Sequence, residues 1–356
     1  MFLNNDLNYT RGCTIGRIER FMNISKVICF VLTVIFIVPA GFAFETDQFS
    51  LSDEPLADIG DEVSDYAAEN IKKAATKLNK KIEKCLEENN CRKLAYLQSE
   101  DAVALEVFRS LGSGFIPFTK AGTFVEKHKF NNEPARFRSK YSDSIYWSVP
   151  TNYLTLSPTV KMYGSEFGTD KIAHFFQQGY DYYKIYRKYL LKGVTEKAAE
   201  TQAVKWGKRT ESTYFGKLVS GVYSNADLYS NFVGLRFYQG LTRSVRIGDT
   251  VRPATLRLKD GRWEFIGDLR NDLIRPFISD HLNEAWNSSL YIPGLRSSVR
   301  KAVRTKDCAA WLKRFPLLTK KDFDKRTSDV RLWHGEDYGF KKSDKFVTIG
   351  NTCFQK

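Results

Sequence analysis

The most informative segment of the chain is 225–241, Asn-Ala-Asp-Leu-Tyr-Ser-Asn-Phe-Val-Gly-Leu-Arg-Phe-Tyr-Gln-Gly-Leu. At about 100° per residue its apolar side chains point around nearly the whole circumference of a helix, and a helix of this kind is usually buried. Asp227, Asn231, Gly234 and Tyr238 fall on one narrow stripe of this helix. Because burying a carboxylate without a partner is expensive, Asp227 is predicted either to cap its own helix or to meet a polar group across the core.

Helical periodicity also marks much of the chain on both sides of this segment. It predicts further helices over the ranges 63–88, 92–111, 169–192, 196–219, 269–287 and 295–315. Asp260-Gly261 between two alternating runs predicts a β-hairpin near 255–266. Residues 115–164 are aromatic and basic and contain four prolines, so loops with short strands are expected there. The predicted fold is mainly α (α+β): a single compact helical domain over 63–356, with a polar C-terminal tail from residue 316.

A second polar stripe lies on the helix predicted over 169–192. Asp170 and His174 are four residues apart and share a helix face, which Gln178 and Asp181 continue. A carboxylate and an imidazole at this spacing can bind a divalent metal, or the carboxylate can orient a general-base histidine. The opposite face is apolar, so the alternative is that the polar stripe simply faces water.

The same stripe carries a resemblance to a known family. Asp170-Lys171-x-x-His174-Phe175 resembles the Asp-Lys-x-x-His-Phe signature of VanZ-like envelope proteins and of some small exported bacterial lipoproteins, over six residues of 356. VanZ-like proteins are polytopic membrane proteins, whereas this chain has no later apolar stretch that could span a bilayer. The lipoproteins carry an acylated cysteine, which this chain lacks in that place. The resemblance implies a bacterial envelope setting and transfers no activity.

The N-terminal region has the features of an export signal. The apolar run Val27–Val38 follows basic residues, ends at Pro39 and precedes Gly41-Phe42-Ala43. A basic flank, an apolar run and a small-x-small site are the parts of a signal peptide, and about 12 apolar residues are fewer than the roughly 20 of a membrane span. We therefore expect residues 1–43 to be a signal peptide, with Met22 open as an alternative start, and the mature protein to be periplasmic or secreted.

Charge and cysteine content suit an exported protein. Residues 44–62 are acidic, lack apolar periodicity and are expected to form a flexible leader. Without residues 1–43 the chain has 51 basic and 39 acidic side chains, a net charge of +12. Such a charge attracts anionic envelope components, namely peptidoglycan, lipopolysaccharide or phospholipid headgroups, and no nucleic-acid-binding motif is present.

Four cysteines remain beyond the predicted signal peptide, and an even number in an oxidising compartment indicates two disulfides. Three pairings are open. We favour Cys85–Cys91, which a predicted helix end and turn would bring together. The pair Cys308–Cys353 then ties the C-terminal tail to the last predicted helix.

No motif specific to one reaction is present: the His-Glu-x-x-His, Gly-x-Ser-x-Gly, P-loop and dinucleotide-binding patterns are all absent. The leading hypothesis is a hydrolase of an anionic envelope polymer or lipid, with a cleft between the two polar stripes and a divalent metal as candidate cofactor. His174 is the candidate base or metal ligand and Asp170 its orienter or co-ligand. The remaining candidates are the acids Asp227 and Glu211 and the binding residues Asn231, Gln178 and Asp181.

A rival hypothesis belongs to a different class. The segment 115–164 places basic residues among Phe and Tyr, and basic and aromatic side chains together suit contacts with sugars or lipid headgroups. These basic residues are Lys120, Lys127, Lys129, Arg136, Arg138 and Lys140. They predict a non-catalytic binding or scaffolding protein.

Overall fold

The computed structural model describes residues 45–88, 91–115, 118–149, 156–213, 216–266 and 273–354, without the side chains of residues 91, 115 and 118. The predicted signal peptide lies outside these ranges. The simple helices are α1 (Gly60–Glu87), α2 (Cys91–Leu97), α3 (Glu100–Leu111), α4 (Lys120–Lys127), α6 (Glu196–Glu211), α7 (Asn225–Gln239), α9 (Lys320–Asp329) and α10 (Ile349–Thr352). Two further helices each contain a π-helical turn. They are α5 (Asp170–Ala173, the π-turn His174–Gln178, then Gly179–Leu190) and α8 (Pro293–Ala302, the π-turn Val303–Asp307, then Cys308–Arg314).

The strands form only two-stranded pairs among the described residues. They are β1 (Glu45–Thr46), β2 (Gly114–Phe115), β3 (Phe118–Thr119), β4 (Leu156–Ser157), β5 (Thr159–Met162), β6 (Ser165–Gly168), β7 (Val222–Tyr223), β8 (Val245–Ile247), β9 (Thr250–Arg252), β10 (Leu256–Lys259), β11 (Arg262–Phe265) and β12 (Leu290–Tyr291). The predicted hairpin is confirmed as β10–β11. Asp260 and Gly261 both have positive φ in its turn, at 49° and 77°, as a tight hairpin turn requires. The mainly α fold class is therefore confirmed.

Some predicted elements differ from the observed ones. The helix predicted over 269–287 is wrong: its described part has only short 3₁₀ turns, Arg275–Phe277 and Asp280–Leu282. Asn283 explains this locally, because its side-chain oxygen accepts hydrogen bonds from the backbone N–H groups of Ala285 and Trp286, which competes with a helix.

Three other predicted ranges also differ from the observed elements. The range 92–111 is broken at Ser99, whose hydroxyl accepts from Ala102 N–H and caps a new helix. The helix predicted over 196–219 ends at Glu211. The segment 115–164, expected as loops and short strands, also contains α4.

The predicted acidic leader is packed into the protein. Glu45, Thr46, Asp47 and Gln48 are buried, and β1 pairs in parallel with β4. The Asp47 carboxylate accepts hydrogen bonds from the backbone N–H groups of Phe49, Ser50 and Ile145. Composition predicts a flexible leader but does not reveal that the polar side chains of these residues find buried partners.

The main core forms around α7, which is buried along almost its whole length as predicted. α5 crosses α7 at a contact between two glycines. A Cβ built on Gly179 would lie 2.6 Å from the Gly234 Cα, and one built on Gly234 would lie 2.2 Å from the backbone oxygen of Phe175. No side chain larger than the hydrogen atom of glycine fits at this crossing. The close approach of the two helices lets their polar stripes face each other.

A second core contains α8, α9 and α10. Trp286 and Phe323 stack at 5.6 Å between ring centroids, and Trp311 is 1% exposed. The predicted Cys308–Cys353 disulfide is present and ties α8 to the end of α10. The Cys85–Cys91 pairing stays a prediction, because the Cys91 side chain lies outside the described part. No described helix combines the length and apolarity needed to cross a bilayer.

Asp307 is a buried carboxyl group beside this second core. It is 6% exposed, and Ser50 Oγ lies 3.4 Å from its Oδ1 but only 2.9 Å from Asp47 Oδ2. Burial is the largest cause and repulsion from Asp47 the next, and together they raise the pKa of Asp307 to about 8. The folded state therefore keeps a proton that the unfolded chain releases near pH 3.8.

The glycine crossing gives a first prediction. Gly234→Ala should lower the free energy of unfolding by about 1–3 kcal/mol or more, because the new methyl group meets backbone rather than a movable side chain. Chemical denaturation measures this. Gly294→Ala is the control, since a Cβ there has no neighbour within 4 Å. Equal stability of the two variants would contradict the close crossing.

Asp307 gives a second prediction. A carboxyl group whose pKa is higher in the folded state stabilises fully below its unfolded pKa, and that stability is lost as the pH rises through the folded value near 8. The free energy of unfolding should therefore fall between pH 5 and pH 8, and Asp307→Asn should flatten this dependence. The exposed Asp249→Asn is the control; identical pH slopes in both variants would reject the assignment.

Candidate functional site

A fully buried lysine forms the centre of the candidate site. Lys171, in the first turn of α5, is 0% exposed, and its Nζ lies 2.6 Å from Asp170 Oδ2, from Asp227 Oδ1 and from Glu284 Oε1. The three carboxylates come from α5, α7 and the segment before β12. One ammonium group thus joins three distant parts of the chain.

Five buried carboxyl groups surround this one ammonium group. They are Glu45, Asp170, Glu211, Asp227 and Glu284. Burial raises the pKa of Glu45, and repulsion from Glu284 and Asp227 adds to the rise. Burial and Asp227 likewise raise the pKa of Glu211. Burial therefore favours the protonated form of these two carboxyl groups.

Asp227 and Lys171 stay charged. Burial alone would raise the pKa of Asp227, but attraction from His174 and Lys171 outweighs it and lowers the pKa. Burial would lower the pKa of Lys171, but Asp170, Asp227 and Glu284 raise it well above its usual value. The Lys171–Asp227 contact is thus ionic, whereas burial raises the pKa of Glu45, Glu211 and Glu284.

Hydrogen bonds fix the His174 ring in this cluster. Its Nδ1 lies 3.2 Å from Asn231 Oδ1, and Asn231 Nδ2 donates to Gln178 Oε1 at 2.9 Å. Because the Asn231 oxygen can only accept, His174 Nδ1 carries a proton. His174 Nε2 then faces Asp227 Oδ2 at 3.3 Å. An unprotonated Nε2 would direct its lone pair at the Asp227 carboxylate, and the two would repel each other. Either a proton on Nε2 or a metal ion between the two atoms removes this repulsion.

The residues present fit a divalent metal ion. Asp170, His174 and Asp227 each offer one ligand atom, and these atoms lie within 4.8 Å of one another. A divalent ion bonds to nitrogen and oxygen ligands at about 2.0–2.2 Å, so the three side chains would have to move closer together to hold one. The bond from His174 to Asn231 is the kind of outer contact that orients a ligating histidine. An ion here would share both aspartates with Lys171.

The structure brings most of the predicted site residues together. The Asp170/His174 stripe does not face water, and Asp227 meets polar groups across the core rather than only serving its own helix end. Ser224 caps α7 by accepting from Asp227 N–H at 3.1 Å. Glu211 Oε1 accepts from Ser224 N–H at 2.8 Å, so Glu211 lies beside this cap.

Asp181 is the predicted site residue that the structure places elsewhere. Its carboxylate forms an ion pair with Lys184 at 2.7 Å and is 32% exposed. The reason is the π-turn His174–Gln178, which inserts an extra residue into the helix and rotates the following residues away from the stripe. A regular helical repeat could not predict this rotation.

Three central residues were missed as site residues. Lys171 lies inside the Asp170–Phe175 motif, Glu284 lies in the helix predicted over 269–287, and Glu45 lies in the expected leader. The sequence holds one weak signal, since Lys171 is next to Asp170. Glu284 and Glu45 reach the site only through tertiary contacts, and Thr46 Oγ1 donates to Asp170 Oδ1 at 2.8 Å.

Removing the central ammonium group tests this arrangement. Lys171→Met should lower the free energy of unfolding by about 3–5 kcal/mol, because it leaves buried carboxylates without their cation. Urea denaturation at neutral pH measures the loss. Lys184→Met, on the same helix and 56% exposed, is the control and should change stability by less than about 1 kcal/mol. Similar losses in both variants would show that Lys171 is not the central ion.

Comparison of the chain with known protein families, with characterised proteins and with solved structures finds no match. The VanZ-like resemblance remains confined to the Asp170–Phe175 motif. The chemistry of the site therefore follows from its own contacts, charges and burial.

Proposed function

We propose that this protein is an exported envelope hydrolase that uses a divalent metal ion and acts on an anionic envelope polymer or lipid. The observation that carries the proposal is the orientation of His174. Asn231 fixes its Nδ1, and its Nε2 points at Asp227 beside Asp170. A histidine and two carboxylates from two helices form a typical ligand set for such an ion.

Five residues of the cluster have a role in this proposal. Asp170, His174 and Asp227 would hold the ion, which would supply Lewis-acid polarisation of the scissile bond and activation of water. Lys171 holds both aspartates in place. Burial and repulsion from Asp227 raise the pKa of Glu211, which favours its protonated form and makes it the candidate general acid. His174, at 8% side-chain exposure, is the most exposed of the three proposed ligands.

Export is part of the proposal and rests on the sequence. The signal-like segment 1–43 and the disulfide Cys308–Cys353 both suit an oxidising compartment. The net charge of +12 favours attraction to anionic polymers and headgroups.

Metal content is the test of this function. Protein purified from a periplasmic fraction without chelator should contain about one divalent ion per chain by mass spectrometry. His174→Ala should lose the ion, together with hydrolysis of anionic phospholipid or peptidoglycan. His128→Ala removes a histidine that lies beside Glu62, away from the cluster, and should keep both. Metal-free wild-type protein with no hydrolytic activity would reject the proposal.

A second candidate function is non-catalytic binding, and a specific surface favours it. Tyr66 and Phe124 stack at 3.9 Å and Phe124 and His128 at 4.4 Å, beside Lys120 and Lys127 in an open cavity of about 460 Å³. Stacked rings with nearby cations suit sugars or headgroups. Salt-sensitive binding to peptidoglycan or anionic liposomes that survives His174→Ala would favour this function over hydrolysis.

A further inference from the structure

A separate cavity of about 290 Å³ lies between the second core and the β5–β6 hairpin. Its wall includes Gln48, whose Oε1 accepts from Glu284 N–H at 3.2 Å and whose Nε2 donates to Thr159 Oγ1 at 3.3 Å. Gln48 therefore stands between this cavity and the buried Lys171 cluster. What the cavity binds does not depend on catalysis at that cluster.

The cavity has an excess of positive charge. Three cations line it, Lys161, Arg314 and Arg326, against two acids, Glu166 and Asp280. Arg314 Nη1 is paired with Glu166 Oε2 at 3.1 Å. Within the described residues no carboxylate lies within ion-pair distance of Lys161 or Arg326. Two cationic groups in one small cavity are thus available to a ligand.

Aromatic rings hold the Arg326 guanidinium in place. Its Cζ lies 5.2 Å from the centroid of Trp286 and 5.7 Å from that of Phe315. A guanidinium stacked on rings keeps its planar set of donors free at its edge, and that edge matches two oxygens of a phosphate or carboxylate. The rings also form a floor of low polarity, which strengthens the attraction of an anion.

We infer that this cavity binds the phosphate monoester group of a small organic ligand, through the edge of Arg326 and the ammonium group of Lys161. Three cations and two acids give the wall a net charge of +1, and Asp280 accepts a hydrogen bond from Ser165 Oγ at 3.1 Å. A phosphate monoester, with three acceptor oxygens and a charge near neutral pH of about −1.5 to −2, can contact both Arg326 and Lys161 at once. The volume lies at the lower end of the range for ligand pockets and fits a headgroup-sized molecule. The phosphate can belong to a soluble ester or to the headgroup of a phospholipid.

Titration calorimetry at low salt tests this with glycerol 3-phosphate as the soluble probe. Sedimentation with phosphatidic acid vesicles, compared with phosphatidylcholine vesicles, tests the lipid source. Arg326→Gln should weaken binding about tenfold or more, the size expected for losing a charge-assisted hydrogen bond. Lys325→Gln is the matched control: it removes the same charge from the same helix, but Lys325 pairs with Asp329 and does not line the cavity.

Binding of either probe that is lost in Arg326→Gln and kept in Lys325→Gln supports the inference, and the probe that binds identifies the source. Lys161→Gln should show a similar loss, which guards against a local folding effect at Arg326. Equal weakening in Arg326→Gln and Lys325→Gln, or no binding of either probe to the wild type, overturns it. His174→Ala should bind the probes as the wild type does. The phosphate-binding test can therefore succeed even if the hydrolase proposal fails.

Discussion

The ionic contact of Lys171 with three carboxylates holds distant segments of the chain together in the interior. Its Nζ lies at 2.6 Å from oxygens of Asp170, Asp227 and Glu284, which are up to 114 positions apart in the chain. A buried charge is tolerated only when its partners are held in place. The elements that carry these residues therefore have to meet in one arrangement, and the polar centre specifies how the apolar helices around it pack.

The close approach of α5 and α7 makes this contact geometrically feasible. Gly179 and Gly234 allow the two backbones to cross at a distance that any larger side chain would prevent. The π-turn just before the crossing presents His174 and Gln178 toward α7 and turns Asp181 toward solvent. A wide turn of this kind is frequent at functional sites, which agrees with the position of His174 in the cluster.

The two sites differ in the sign of their charged groups and in their exposure to solvent. The Lys171 cluster is rich in carboxyl groups and nearly closed to solvent, which suits a cation and a polarised reaction. The cavity at Arg326 is open, basic and lined by rings, which suits recognition of an anion. Gln48 stands between the two sites and contacts both sides. A protein with a net positive charge thus contains one buried cluster that is rich in carboxyl groups.

The mainly helical class, the buried helix at 225–241, the hairpin near 255–266 and the favoured Cys308–Cys353 pair were predictable from the sequence, which also placed Asp170 with His174 and Asp227 with Asn231 on two helix faces. These features depend on local periodicity, turn chemistry and spacing, which neighbouring residues encode. Three features became clear only from the tertiary structure. Glu45 and Glu284 join the site, Asp181 lies outside it, and residues 273–287 do not form the predicted helix. The physical reason is that the cost of burying a polar side chain depends on its partners, and those partners are distant in the chain.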